Sequence, residues 1–300
     1  MKNQKINSYD NINIDVDRLF EEKININPPS YPSFFKRMFN RYLNAIQIKS
    51  GLIHTLAESG LKRKWFYEFR KYWYEVLNGR PLYLHDFYFL LGIYRQRFQT
   101  NETPDYAEEK EFLESWQNKD TLYQLFGAVR RFSRECLHSR RFEKWIKKGD
   151  STLEYGCGIA PITHSLVNYS LKRKLNMHIA DIHQINFHYA IYRLPKEVNN
   201  FTITPYKNAI EEKKYNIIMM MTVMEHLPDP LDTVINITKG LKKQGIFIFD
   251  YILSDGENQD TIEAIDQRVD VLNYIKENFV VLEGDLKEDQ SMGHTVCRLK

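Results

Sequence analysis

Cysteine is scarce: Cys136, Cys157 and Cys297 are the only three in 300 residues. Their spacing offers neither a disulfide framework nor a set of metal ligands, and so few thiols suit a reducing cytoplasm. Long apolar runs are missing as well. No stretch reaches the roughly 18 residues of a membrane span, so no transmembrane segment is expected. The opening residues, Met1 to Ser8, are mostly Lys, Asn and Gln and lack the apolar centre of a secretion signal. An excess of one charge is lacking too. The 42 Lys and Arg against 39 Asp and Glu leave a net +3, too little to call for a nucleic-acid partner by itself. There is no internal repeat and no low-complexity tract. What is present, 43% hydrophobic and 27% charged residues, is the composition of a folded chain long enough for two domains.

The charge is unevenly distributed. From Tyr31 to Arg80, ten Lys and Arg face only Glu58, Glu68 and Glu75. An acidic stretch runs from Glu102 to Glu114, a second basic one from Arg130 to Lys148, and the chain after Asp150 is near balance. Residues 1–30 are polar, end in Pro28-Pro29 and read as an arm. Residues 31–149 have a helical period. Trp65, Phe69, Tyr72 and Val76 recur on one face until Gly79 and Pro81 stop the pattern. Leu122, Leu125, Phe126, Val129 and Phe132 repeat it after Asp120 and Thr121, which can cap a helix.

After Gly149 the period changes. Short apolar runs begin near Thr152, Met177, Phe201, Asn216, Ile246, Phe279 and Thr295, and most are separated by helical stretches. That alternation predicts an α/β, Rossmann-like domain over 150–300: seven strands, mainly parallel, closed by an antiparallel edge hairpin from the last two runs.

Gly156 and Gly158 sit between the first strand and the helix that Pro161 opens, where a bare backbone allows a tight turn and close approach of a ligand. Twenty-three residues past Gly158, Asp181 ends the second strand, where a carboxylate can accept from ribose hydroxyls. A dinucleotide site wants a third glycine at position 161 and a helix N–H for pyrophosphate. Pro161 has no N–H to give. A nucleoside ligand without pyrophosphate, such as S-adenosylmethionine, is therefore favoured over NAD.

Leu153-Glu154-Tyr155-Gly156-Cys157-Gly158-Ile159-Ala160 resembles the first motif of class I S-adenosylmethionine-dependent methyltransferases. Val223-Met224-Glu225-His226-Leu227-Pro228-Asp229-Pro230 resembles their segment after strand four, as in the small-molecule branch that includes quinone-biosynthesis enzymes. The likeness covers about 150–300 and not the helical half. It implies S-adenosylmethionine as cofactor, held by Glu154, Gly156 and Gly158, with Asp181 on the ribose, Ile182 on adenine and Asn208 at the adenine amino group. Ala160 stands in place of a usual glycine, and Tyr215-Asn216 in place of Phe-Asp.

His226 and Glu225 follow strand four at the ligand end of the sheet and are the candidates for a base. Tyr251, after strand five, is a candidate for the acceptor pocket, with core packing as the equal alternative; the helical-half aromatics are expected mostly to be buried between helices, with Trp73 and Phe87 the candidates to line the acceptor pocket. Asn27-Pro28-Pro29-Ser30 resembles the Asn-Pro-Pro-aromatic motif of base-amine methylases, but Ser30 fills the aromatic position, so a stiff linker is expected. His178, His183 and His188 have no second cluster of ligands near them, and no metal site is expected. The expected function is methyl transfer to O or N of a small or amphipathic acceptor in the cytoplasm. The alternatives left open are a cofactor-binding scaffold without turnover and an RNA or protein methyltransferase that uses the basic helices. Nucleic acid is not the expected partner, and peripheral membrane contact and oligomeric state stay open.

Overall fold

The computed structural model describes Phe35, Phe39 and residues 65–77, 81–97, 109–117, 121–134, 140–169, 175–204, 210–253 and 260–300. The arm expected at 1–30 and Asn208 lie outside the described residues. Among the described residues Phe35 and Phe39 are helical, and the helices α1 (65–75), α2 (Leu84–Arg97), α3 (Glu109–Gln117), α4 (Thr121–Arg134) and α5 (Arg140–Glu143) follow. The alternating part follows as β1 (Ser151–Tyr155), α6 (Pro161–Tyr169), β2 (Asn176–Asp181), α7 (Ile185–Arg193), β3 (Asn199–Thr202) and β4 (Tyr215–Met220). It closes with a short 3-10 turn η1 (Met224–His226), α8 (Pro230–Gly240), β5 (Leu241–Tyr251), α9 (Ile262–Asp266), α10 (Arg268–Asn278), β6 (Phe279–Glu283) and β7 (Met292–Leu299).

The strands form one seven-stranded sheet in the order β3-β2-β1-β4-β5-β7-β6. β1 to β5 pair in parallel, and β7 runs antiparallel between β5 and β6. β1 is buried along its whole length because it lies between β2 and β4 with packing on both faces. The order reverses at β1/β4, so the crevice at the carboxyl ends of these strands is where such sheets bind ligands. Local chemistry supports two of the turns into helices. Asp229 caps α8 by accepting from Asp232 N–H, with Pro230 at the first position. Thr261 caps α9 in the same way through Ala264 N–H.

Two apolar clusters cover the sheet, one built on Leu153, Ile218 and Phe249, the other on Ile179, Met219 and Ile248. A third gathers the helical half: Phe69, Tyr72 and Trp73 of α1, Phe87 and Leu90 of α2, and Leu122, Phe126 and Val129 of α4. It also contains Ile159, Ile185 and Tyr189 from the α/β part, so the helices dock over the glycine turn and α7. Trp73 and Phe87 are fully buried there, with Trp73 edge-on to Phe126 at 5.5 Å and Phe87 edge-on to Phe69 at 5.7 Å. Both rings face neighbouring helices, and neither borders the cavity described below. Among the described residues no helix is long and apolar enough to cross a membrane.

Candidate functional site

β1 ends in Tyr155, and the chain turns through Gly156, Cys157 and Gly158 into α6. Gly156 has φ +62°, and a Cβ there would lie 2.5 Å from a Val223 methyl carbon, so only glycine lets the loop after β4 close on this turn. Gly158 has φ +52° and nothing within 4 Å of where a Cβ would stand. The backbone is open at Gly158. Ala160 carries the same left-handed geometry at φ +50°, which accounts for the glycine usual at that position and leaves a strain of about 1 kcal/mol for alanine.

Buried acids stitch the turn to its neighbours. Glu154 Oε2 accepts from Thr163 N–H at 2.7 Å and Oε1 from Ile162 N–H at 3.3 Å, so its carboxyl covers the first free amides of α6. Burial raises its pKa to about 7 against those bonds. Asp181 Oδ2 accepts from Gly158 N–H at 2.5 Å, and Oδ1 accepts from Ile182 N–H at 2.7 Å and Gln184 Nε2 at 2.8 Å. Burial lifts this carboxyl to about 6. Ile182 is buried in the sheet cluster beside Ala180 and Ile203.

A cavity of ≈ 210 Å³ opens beside the turn. Gly156, Gly158, Asn186, Thr222 and Asp250 border it, and α4 roofs it with Ala128, Arg131 and Phe132. These three positions share one helix face at i, i+3 and i+4. Thr222 is held at φ +57° with its N–H on Asp250 Oδ1 at 2.5 Å, tying the ends of β4 and β5 together. A β-branched residue in that region is backbone strain of the kind that gathers at functional sites.

The candidate bases lie on η1. Glu225 is buried, and its Oε2 meets no hydrogen-bond donor among the described residues. Burial first, then the neighbouring Asp250 and Asp260, raise its pKa well above the ordinary carboxylate range; Arg131 opposes them. His226 Nδ1 is 3.5 Å from Asp260 Oδ1, and its ring meets Trp116 of α3 edge-on at 5.6 Å. Thr261 anchors η1 by donating its N–H to Glu225 O at 2.9 Å and its hydroxyl to Leu227 O at 2.7 Å. α3 spans the crevice, because Gln117 Nε2 also donates to His183 O at 2.7 Å after β2. Tyr251 is fully buried, donates its hydroxyl to Ala264 O and stacks under the Arg268 guanidinium at 4.4 Å. Its polar end is committed to the fold.

The structure thus gathers Glu154, Gly156 and Gly158 at the cavity, keeps Asp181 one hydrogen bond behind it, and sets Glu225 and His226 at the adjoining crevice end. Arg131, Asn186, Asp250 and Asp260 are the residues that sequence reasoning missed. Asp250 had a signal, since it ends a strand in an acid as Asp181 does. Arg131 had only its place on the apolar-edged face of α4.

The profile of a family described as "Methyltransferase domain" matches residues 95–278, more than half of the chain. No curated protein matches the chain. Among solved structures, similar ones include a TehB-like SAM-dependent methyltransferase from Corynebacterium glutamicum, 18% identical with a TM-score of 0.43 over 54% of this chain and 86% of that one. A SAM-dependent methyltransferase from Aquifex aeolicus is 13% identical at 0.43, covering 54% and 88%. The N-methyltransferase NodS from Bradyrhizobium japonicum, solved with S-adenosyl-L-homocysteine, is 16% identical at 0.41, covering 56% and 87%.

Proposed function

The chain belongs to the methyltransferase-domain family, as a class I S-adenosylmethionine-dependent enzyme, and from that premise we propose that it methylates an oxygen or nitrogen of a small or amphipathic acceptor. S-adenosylmethionine supplies an electrophilic methyl carbon on a sulfonium sulfur. The observation that carries the reading is the engagement of the α6 N-terminus. Pro161 has no N–H, and those of Ile162 and Thr163 are taken by Glu154, so a pyrophosphate would find no donors there. A nucleoside without phosphates fits instead. Asn186 Oδ1 and Gln184 Oε1 are buried acceptors that meet no donor among the described residues, and Asp181 Oδ2 keeps a lone-pair direction beyond its bond from Gly158. Ribose hydroxyls and an adenine amine are the complementary donors.

Each residue then has a task. Gly158 leaves room for the ligand against the main chain, and Asp181 accepts from the ribose. Arg131, the one basic residue among the described residues that border the cavity, would hold the methionine carboxylate by charge-assisted hydrogen bonds. His226, with Nδ1 turned to Asp260, presents its other nitrogen as the proton acceptor for the nucleophile. The division into an arm (1–30), a helical substrate-side domain (31–149) and a cofactor domain (150–300) belongs to the same proposal, with α3 and α4 covering the crevice. So does the small acceptor that the quinone-biosynthesis resemblance suggests.

Incubating the full chain with methyl-labelled S-adenosylmethionine and sets of phenols, alcohols and amines tests the reading. Label should pass to members of one set, and His226→Ala should lower turnover by about 10²–10⁴ without weakening S-adenosylhomocysteine binding. Tight cofactor binding with no transfer to any acceptor would favour the scaffold, and transfer to RNA or protein alone would change the substrate class.

A further inference from the structure

Asp181 has too few open lone pairs for a whole ribose. An ionised carboxyl offers about four acceptor sites, and the N–H groups of Gly158 and Ile182 and the side-chain amide of Gln184 already fill three of them. The site that remains, on Oδ2, serves one hydroxyl, whereas a ribose presents two side by side. α7 supplies another acceptor. Asn186 is 8% exposed, borders the cavity, and its Oδ1 meets no donor among the described residues. A buried acceptor without a donor costs the fold free energy that a ligand hydroxyl restores. Gln184 Oε1 meets no described donor either, but Gln184 does not border the cavity.

The place of Asn186 says which donor it takes. It is the second residue of α7, whose start Gln184 ties to Asp181 through Nε2 at 2.8 Å, so it stands beside the end of β2. The positive end of the helix dipole lies there and disfavours a cation such as the ammonium of the methionine part. Neither Ile182 nor any described residue of β3 borders the cavity, so the adenine amine is not the donor at hand. A neutral hydroxyl fits both conditions.

We infer that Asn186 is a second reader of the ribose: its Oδ1 accepts from one of the two neighbouring hydroxyls while Asp181 Oδ2 accepts from the other. The inference rests on the S-adenosylmethionine reading above. It makes the site selective for an intact diol, because a ligand lacking either hydroxyl leaves a buried acceptor without its donor. The amide does not titrate, so its share of the binding is the same at every pH, unlike that of Asp181.

The test titrates the full chain by calorimetry at neutral pH with S-adenosylhomocysteine and with its 2′-deoxy and 3′-deoxy analogues. The wild-type chain should bind each analogue at least about tenfold more weakly than the parent. Asn186→Leu, close in size but without the acceptor, should also bind the parent at least about tenfold more weakly. It should bind one analogue, the one lacking the hydroxyl that Asn186 reads, as tightly as the wild-type chain does. Either analogue matching the parent on the wild-type chain would overturn the inference. So would unchanged parent affinity in Asn186→Leu, or an equal loss for all three ligands, which a change of shape alone produces. Asn186→Ala carries the same comparison where the leucine variant fails to fold. Failure of the parent to bind the wild-type chain counts against the cofactor reading itself, whereas tight parent binding with no selection for the diol counts against Asn186 alone.

Discussion

Asp181 joins the glycine turn to the proposed ribose site, and its environment sets a pH dependence. Burial holds its carboxyl at about 6 instead of its ordinary 3.8. A folded-state pKa raised in this way means that the stability contributed by this group is greatest at acid pH and declines as pH climbs from 3.8 towards 6. Cofactor binding has the opposite slope, because ribose hydroxyls donate to the ionised form. Affinity for S-adenosylhomocysteine should fall up to about tenfold per pH unit below about 6 and be flat above it, and Asp181→Asn should remove that slope. Titrations at several pH values check this; a wild-type profile flat from about pH 5 to 7 would remove Asp181 from the ribose. The two glycines should also part company. Gly156→Ala drives a Cβ into Val223 and should destabilise the fold by about 1–3 kcal/mol in thermal unfolding. Gly158→Ala meets open space, so its main effect should be weaker cofactor binding, with a strain cost of only about 1–2 kcal/mol.

At the scale of elements, the helices of the first half are held by ring packing. Phe69 alone meets Trp73, Phe87, Phe126 and Tyr189, which ties α1 to α2, α4 and α7. Trp73→Ala or Phe87→Ala should therefore cost about 3–5 kcal/mol of stability, read as an earlier melting transition with the selectivity between acceptors unchanged. Selective loss of one acceptor at an unchanged melting temperature would return these rings to the pocket. The strands were legible because their apolar runs are short, bounded and buried on both faces, as β1 and β4 are. The antiparallel edge was legible because the segment around Gly293 is too short for a crossover helix. The seating of the helices was not. Trp73 and Phe87 are conspicuous in sequence for size alone, and size cannot separate a ring facing a ligand from one facing another helix. Arg131 and Asp260 were illegible for another reason: only the fold brings Arg131 to the cavity and Asp260 to His226, which lies far from it in the chain.

For the whole molecule, the account is that a helical roof and a parallel sheet enclose a nucleoside site built without phosphate-binding amides. Net charge is close to neutral, so the proposed specificity of the site would come from local arrangement: Asp181 behind the cavity, and Glu154, Asp250 and Arg131 among the described residues at its border. The sequence contained the two glycines, Asp181 and Pro161 in register with strands, and these were enough for cofactor class. It could not contain the capture of Ile162 and Thr163 amides by Glu154, which depends on a side chain folding back across the turn. The most direct test of that account is a pair of calorimetric titrations of the full wild-type chain at neutral pH, one with S-adenosylhomocysteine and one with NAD. The account predicts one site per chain for S-adenosylhomocysteine at roughly micromolar affinity and NAD weaker by at least about a hundredfold; NAD binding as tightly as S-adenosylhomocysteine, or neither binding at all, would contradict it.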